Sequence, residues 1–281
     1  QRGLLGRAVF TALYPHSTKM EDSSMLSLNT WDDAILIFGM ALAWESLFQA
    51  FASVLTHVFG KSKLSELGPS YAVAFTHATL VTLRGIMHYR DFWNAPADKA
   101  LVYSNEEPWG SAGRAVEFTC RIFLAWLFSD LYHVLKSFPK LGSWDTIAHH
   151  IVFIWCCFMA AGYRLVPYGF AWLILGEASS LPLNIRWFLI NTGHGSSKAM
   201  KLTNIAFAVS FLAVRGLLYG RGLFHLLFNV EIIMAQPHVP PSVAFGLVSV
   251  IVAGFLLNIF WMRRIFQIAL GTRKSKSVRK A

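Results

Sequence analysis

The residues best suited to chemistry in this chain lie in two neighbouring stretches. His149 and His150 stand side by side in "AHHIVF", and Asp130 and His133 lie in "SDLYHV" just before them. The flanks, "RIFLAWLF" and "IWCCFMAA", are strongly apolar. An imidazole held in such surroundings acts as a general base, or as the nucleophile in acyl transfer. A carboxylate beside it fixes its orientation and stabilises its protonated form. Adjacent helical residues point about 100° apart, so the two histidines of the pair face different neighbours. Asp130 and His133, spaced i, i+3, share one helix face. These four residues are the expected catalytic group, with Asp130 and His133 orienting the imidazole of His149 or His150.

The elements that carry them are set by composition. Of 281 residues, 55% are hydrophobic and only 14% are charged, against roughly 25% charged in soluble domains. Lipid is the solvent that such a chain fits. A helix crosses a bilayer with about 20 mostly apolar residues, and seven segments qualify: Ala34 to Val58, Ser70 to Ile86, Ala115 to Leu135, Trp144 to Gly162, Tyr168 to Ile190, Leu202 to Leu218 and Val239 to Met262. The expected fold is all-α, a polytopic transmembrane bundle of about seven spans around a lipid-accessible cavity. Helices are the economical choice because they satisfy their own backbone in lipid, and the alternation of a barrel is missing. Residues 1–30 form an N-terminal segment without a clear signal peptide, 31–270 the transmembrane domain, and 271–281 a basic tail.

Basic residues near membrane spans mark the cytoplasmic face. Arg263, Arg264, Arg273, Lys274, Lys276, Arg279 and Lys280 follow or end the last span, so the C-terminus is expected in the cytoplasm and the N-terminus opposite. Lys136 and Lys140 then lie in a cytoplasmic loop. Each charge at the bilayer centre costs about 2.5–3.5 kcal/mol, so polar residues within spans should face a partner or a hollow. With alternating helix directions, His133, His149 and His150 fall at similar depth. His77 lies early in the second span, Asn184 and Arg186 late in the fifth, and Asn258 late in the last, with Glu177 deeper. One polar chamber opening toward the cytoplasm accounts for all of them as substrate-contacting residues. Pro182 lacks an N–H, so the fifth span is expected to kink or break.

Several classes are set aside. The formal charge of +10 resides in the tail and loops, not in a basic face interleaved with aromatics, so nucleic acid is not the expected partner. The ten histidines show neither HxxxH nor HxxHH spacing, so the leading expectation includes no metal, and one metal shared by His133 and His149 or His150 is the rival chemistry. Cys120, Cys156 and Cys157 form no C-x-x-C pair and read as core. No D-R-Y or N-P-x-x-Y signals a receptor, and no filter sequence marks a pore.

At these residues the sequence resembles the TLC-domain family, which includes the ceramide synthases. The stretches that carry it are "SDLYHV", "AHHIVF", "GEASSLPLNIRWF", "LLNIFW" and "FTHATL" around His77, over about residues 31–270. The resemblance implies helices around a lipid-holding cavity and residence in endomembranes, the endoplasmic reticulum foremost and the plasma membrane as alternative. By way of the ceramide synthases it implies transfer of an acyl group from acyl-CoA to a lipid acceptor, with the tandem histidines at the centre. Acyl-CoA would be co-substrate, its phosphates held by lysines such as Lys136 and Lys140, and no resident cofactor is implied. Where ceramide synthases carry H-D-x-S-D, this chain has "GEASS", so those aspartates have no counterpart. The run from Glu177 to Asn184 looks more like the shorter TLC-domain proteins linked to membrane lipid composition. The alternative expectation is therefore a non-enzymatic lipid regulator, lipid carrier or trafficking receptor using the same cavity.

Overall fold

A computed structural model describes residues 31–269; the expected segment 1–30 and tail 271–281 lie outside the described residues. The described chain is helical: α1 (Trp31–Phe59), α2 (Lys63–Asp91), the short α3 (Ala97–Leu101), α4 (Trp109–Lys136) and α5 (Trp144–Gly162) come first. They are followed by α6 (Pro167–Ile174), α7 (Ser180–Asn191), α8 (Lys198–Ser210), α9 (Tyr219–Phe228), α10 (Val230–Met234) and α11 (Pro241–Ala269). A 3₁₀ turn, Leu175–Ser179, joins α6 to α7, and a π-helical stretch, Phe211–Leu218, joins α8 to α9.

Local chemistry sets the boundaries. Gly60 at φ +60 ends α1 in the left-handed region that glycine adopts freely. Ser62 then caps α2 through a reciprocal bond with Ser65, and Ser143 does the same for α5 with Thr146. Between α5 and α6, Arg164 and Val166 both take positive φ, a rare state for a β-branched residue. Backbone bonds hold them there: Tyr103 donates to the Arg164 carbonyl at 2.9 Å, and Val166 donates to that of Leu101 at 2.7 Å.

Among the described residues, five helical stretches are long and apolar enough to cross a membrane: Trp31–Phe59, Trp109–Lys136, Trp144–Gly162, Lys198–Phe228 and Pro241–Gln267. The other two expected spans differ. The second is α2, long at 29 residues but carrying Glu66, Arg84, Arg90 and Asp91, with His77 and His88 buried. The fifth breaks into α6 and α7, of 8 and 12 residues, with the 3₁₀ turn directly upstream of Pro182.

Helix α4 is central, packing on α1, α2, α5 and α6; its Val116, Leu124, Ala125 and Leu127 are fully buried. The outer faces are the reverse of a soluble surface, with Phe38, Val209, Phe245 and Leu256 each more than half exposed. Lipid covers such faces without the penalty that water would impose. The end of the bundle where α1 and α4 finish and α2 and α5 begin is called the lower end below, and the opposite end the upper.

Candidate functional site

The tandem histidines lie two turns or less into α5, about 8 Å above Trp144 at 1.5 Å per residue. His150 is buried, and its Nε2 meets Oδ2 of Asp130 on α4 at 2.8 Å. Its Nδ1 lies 2.8 Å from the carbonyl of Thr146 on its own helix. A carbonyl only accepts, so Nδ1 carries a hydrogen and donates it. A second proton then lies between Nε2 and the carboxylate. Both nitrogens of His150 are engaged, which leaves it no free lone pair.

His149 points elsewhere, as the helix requires. Its ring packs on Phe153 at 4.4 Å and the residue is exposed. Its ring nitrogens make no hydrogen bond among the described residues, and it lies within electrostatic reach of Arg215. Arg215 sits inside the π-helical stretch, donates from Nε to the Ser179 hydroxyl at 2.8 Å, and approaches Glu177 at 3.6 Å. Ser179 in turn donates to the Gly176 carbonyl. Glu177 is within electrostatic reach of His150. The break between α6 and α7 thus presents Glu177 and Ser179 to the same region that receives Asp130, His149 and His150. Extra residues in π-helical form often accompany functional sites.

His133 makes a different connection. Its Nε2 lies 2.7 Å from Oε2 of Glu45 on α1, and its ring stacks on Phe48 at 3.7 Å. Gln49 donates to the other Glu45 oxygen at 2.6 Å. Asp130 and His133 share a face only loosely: three residues are 60° short of a full turn, which directs Asp130 to α5 and His133 to α1. Twelve residues earlier on both helices, Arg121 meets Asp33 at 2.8 Å.

His77 is completely buried, stacked on Trp126 at 3.7 Å with Trp44 and Phe123 around it. Neither of its ring nitrogens, nor the Trp126 indole N–H, has a hydrogen-bond partner among the described residues, a cost of about 1–3 kcal/mol per group. Trp126 lies 5.9 Å from His150, so His77 stands behind the Asp130–His150 pair through one aromatic ring. Asn184 is buried. Arg186 is exposed and donates to Asn204 at 3.1 Å, while Asn258 is half-buried on α11. At the lower end, Lys140 pairs with Glu66 at 2.6 Å, and Lys136 lies over the Tyr132 ring. Among the described residues no three His, Cys, Asp or Glu side chains converge as a metal-ligand set.

Two hollows lie among the described residues. An apolar one of about 340 Å³ near the lower end is lined by α1, α2 and α7, with Phe51, Phe75, Ile185 and Phe188 in its wall. Another, of about 370 Å³, lies at the upper end between α9 and the residues that follow α2, with Tyr168 of α6 also in its wall. Neither is lined by His149 or His150.

Arg215 and Glu45 are not among the residues that the spacing and apolar flanks of the sequence single out. A signal for Arg215 was present, since one arginine interrupts the apolar run "FLAVRGLL" inside an expected span. The same holds for Glu45 in "ALAWESLF".

A family model described as the TLC domain matches residues 70–267. TLC domain-containing protein 4-B of Xenopus laevis is 26% identical over 130 residues, 43% of this chain and 49% of that protein. The protein of the same name from Danio rerio is 25% identical over 181 residues, 63% of this chain and 65% of its own length. The chain spans less than two thirds of the length of either relative.

Proposed function

Because the chain belongs to the TLC-domain family, we propose that this multi-pass membrane protein transfers an acyl group from acyl-CoA to a lipid acceptor, with His149 as the reacting imidazole. The observation that carries this reading is the division of labour in the tandem pair. His150 is held by Asp130 and by the Thr146 carbonyl, whereas His149 has no hydrogen bond to its ring nitrogens among the described residues and lies within electrostatic reach of Arg215. In the first step a nitrogen of His149 attacks the thioester carbonyl. A C–N bond forms, the C–S bond breaks, and the CoA thiolate leaves. In the second, the amine or hydroxyl of the acceptor lipid attacks the acyl-imidazole; the C–N bond breaks and a proton passes to the departing imidazole. Asp130 and His150 act as positioning residues that lock α5 against α4. Arg215 supplies the positive charge that faces the developing oxyanion, a type of contribution worth about 10²–10³ in rate. His133 supports the site indirectly, through its bond to Glu45. Lys136 and Lys140, placed where α4 finishes, would meet CoA phosphates, and Asn184, Arg186 and Asn258 would contact the lipid.

A second reading has its own support. The apolar hollow of about 340 Å³ is not lined by either histidine of the pair, which suits a lipid regulator, carrier or trafficking receptor that holds an acyl chain without reacting with it. The purified protein incubated with acyl-CoA distinguishes the two. Acyl transfer should proceed with a covalent acyl adduct on His149, both abolished in His149→Ala. Lipid that copurifies without turnover or adduct would replace the enzymatic reading with the second.

A further inference from the structure

The hollow at the upper end lies about 21 Å along α5 from His149, judged from the 14 residues to Tyr163, and stands independently of the proposed acyl transfer. Its lining contains Arg221 and His225 and no carboxylate. These two residues lie one turn apart on α9, at i, i+4, and therefore on one face. Four other arginines of this half of the bundle each face a carboxylate: Arg90 faces Asp91, Arg114 faces Glu107, Arg121 faces Asp33 and Arg164 faces Glu117; Arg84 is held by the Thr119 hydroxyl and the Ala115 carbonyl. Arg221 instead stacks over the Trp93 ring at 4.0 Å and donates to the Tyr89 hydroxyl. Both partners are neutral. The stack fixes the guanidinium plane, and no carboxylate among the described residues pairs with its positive charge.

The walls define the rest of the ligand. The ring of His225 meets that of Tyr168 edge-on at 5.9 Å. On the open side, Phe224 and Phe228 pack together at 4.2 Å and are both more than 60% exposed. Trp and Tyr are typical of the level where head groups meet hydrocarbon, and arginine binds phosphate through its planar fork. The occupant that matches is an anion joined to hydrocarbon. We propose that this hollow binds the phosphate of a phospholipid from the upper leaflet, with Arg221 and His225 on the phosphate and the Phe224–Phe228 pair against the glycerol and the first acyl carbons.

Native mass spectrometry of the full chain, purified in phosphate-free detergent, tests this. The probes are dioleoyl phosphatidylglycerol, dioleoylglycerol without phosphate, and inorganic phosphate alone. The wild type should retain phosphatidylglycerol over dioleoylglycerol. Arg221→Gln should reduce that adduct about tenfold, equivalent to about 1.4 kcal/mol, and His225→Gln should reduce it less. Arg90→Gln, at the same end but paired with Asp91, should leave it unchanged. Thermal unfolding of each variant separates lost binding from lost folding, and if Arg221→Gln unfolds, His225→Gln together with the dioleoylglycerol comparison carries the test. Equal retention of dioleoylglycerol, or an undiminished adduct in the folded variants, would overturn the proposal. So would inorganic phosphate binding at Arg221 while phosphatidylglycerol is excluded.

Discussion

Asp130 on α4 and His150 on α5 meet at 2.8 Å, and the second nitrogen of that imidazole is held by the Thr146 carbonyl. The pair fastens two spans to each other through a charged contact. Removing one member leaves the other buried without its counter-charge, which costs about 3–5 kcal/mol. Asp130→Ala and His150→Ala should each lower stability by about that amount in a denaturant titration. The double variant should be little worse than either, because both remove one interaction.

His149→Ala should behave differently from its neighbour. The ring is exposed and bonded to nothing among the described residues, so its loss should move stability by no more than about 0.5 kcal/mol. Acyl transfer should disappear all the same. A loss of stability equal to that of His150→Ala would identify His149 as structural.

Arg215→Lys keeps the charge and discards the fork. A lysine cannot reach Ser179 and Glu177 together as the guanidinium does. The expected result is a protein that folds and holds lipid but transfers the acyl group about 10²–10³ times more slowly, measured as turnover at saturating acyl-CoA. Undiminished turnover would remove Arg215 from the oxyanion role.

Gly222 lies where a Cβ would run into the indole of Trp172 on α6. Neither backbone can retreat easily, since Trp172 is almost fully buried. Gly222→Ala should therefore destabilise by about 1–3 kcal/mol through overpacking. Because Gly222 adjoins Arg221, the substitution should also weaken retention of phosphatidylglycerol, while Gly39→Ala, with open space around it, should change neither.

Asp33 and Glu45 are separate contacts of one helix. They are 12 residues apart, about 18 Å along α1, beyond the range at which substitutions normally couple. The stability losses of Asp33→Ala and Glu45→Ala should add within about 0.5 kcal/mol when both are measured by the same unfolding titration.

Much of the arrangement was legible in the residues themselves. Apolar length identified the all-helical membrane bundle, and the i, i+3 and tandem spacings singled out the polar residues of α4 and α5. Which of Asp130 and His133 would face α5 was not legible, because 60° of helical rotation divides them and only tertiary packing decides between two neighbours. Span length was misleading at Tyr168 to Ile190, where an apolar stretch of sufficient extent is broken upstream of Pro182. Arg215 and Glu45 show another limit. A single charge in an apolar run announces that a partner exists, yet the partners lie 36 and 88 residues away, and nothing local names them. The resemblance expected over 31–270 is matched by the family model over 70–267, which leaves α1 outside.

The separation of 88 residues recurs in two ion pairs between α1 and α4, Asp33 with Arg121 and Glu45 with His133. Equal offsets at two levels mean that the helices run parallel in a single alignment. Slipping α1 by one turn, 5.4 Å, would unseat both charged teeth in the same movement. The first span is therefore indexed against the fourth as a key is in its lock: it holds one position, or it comes free.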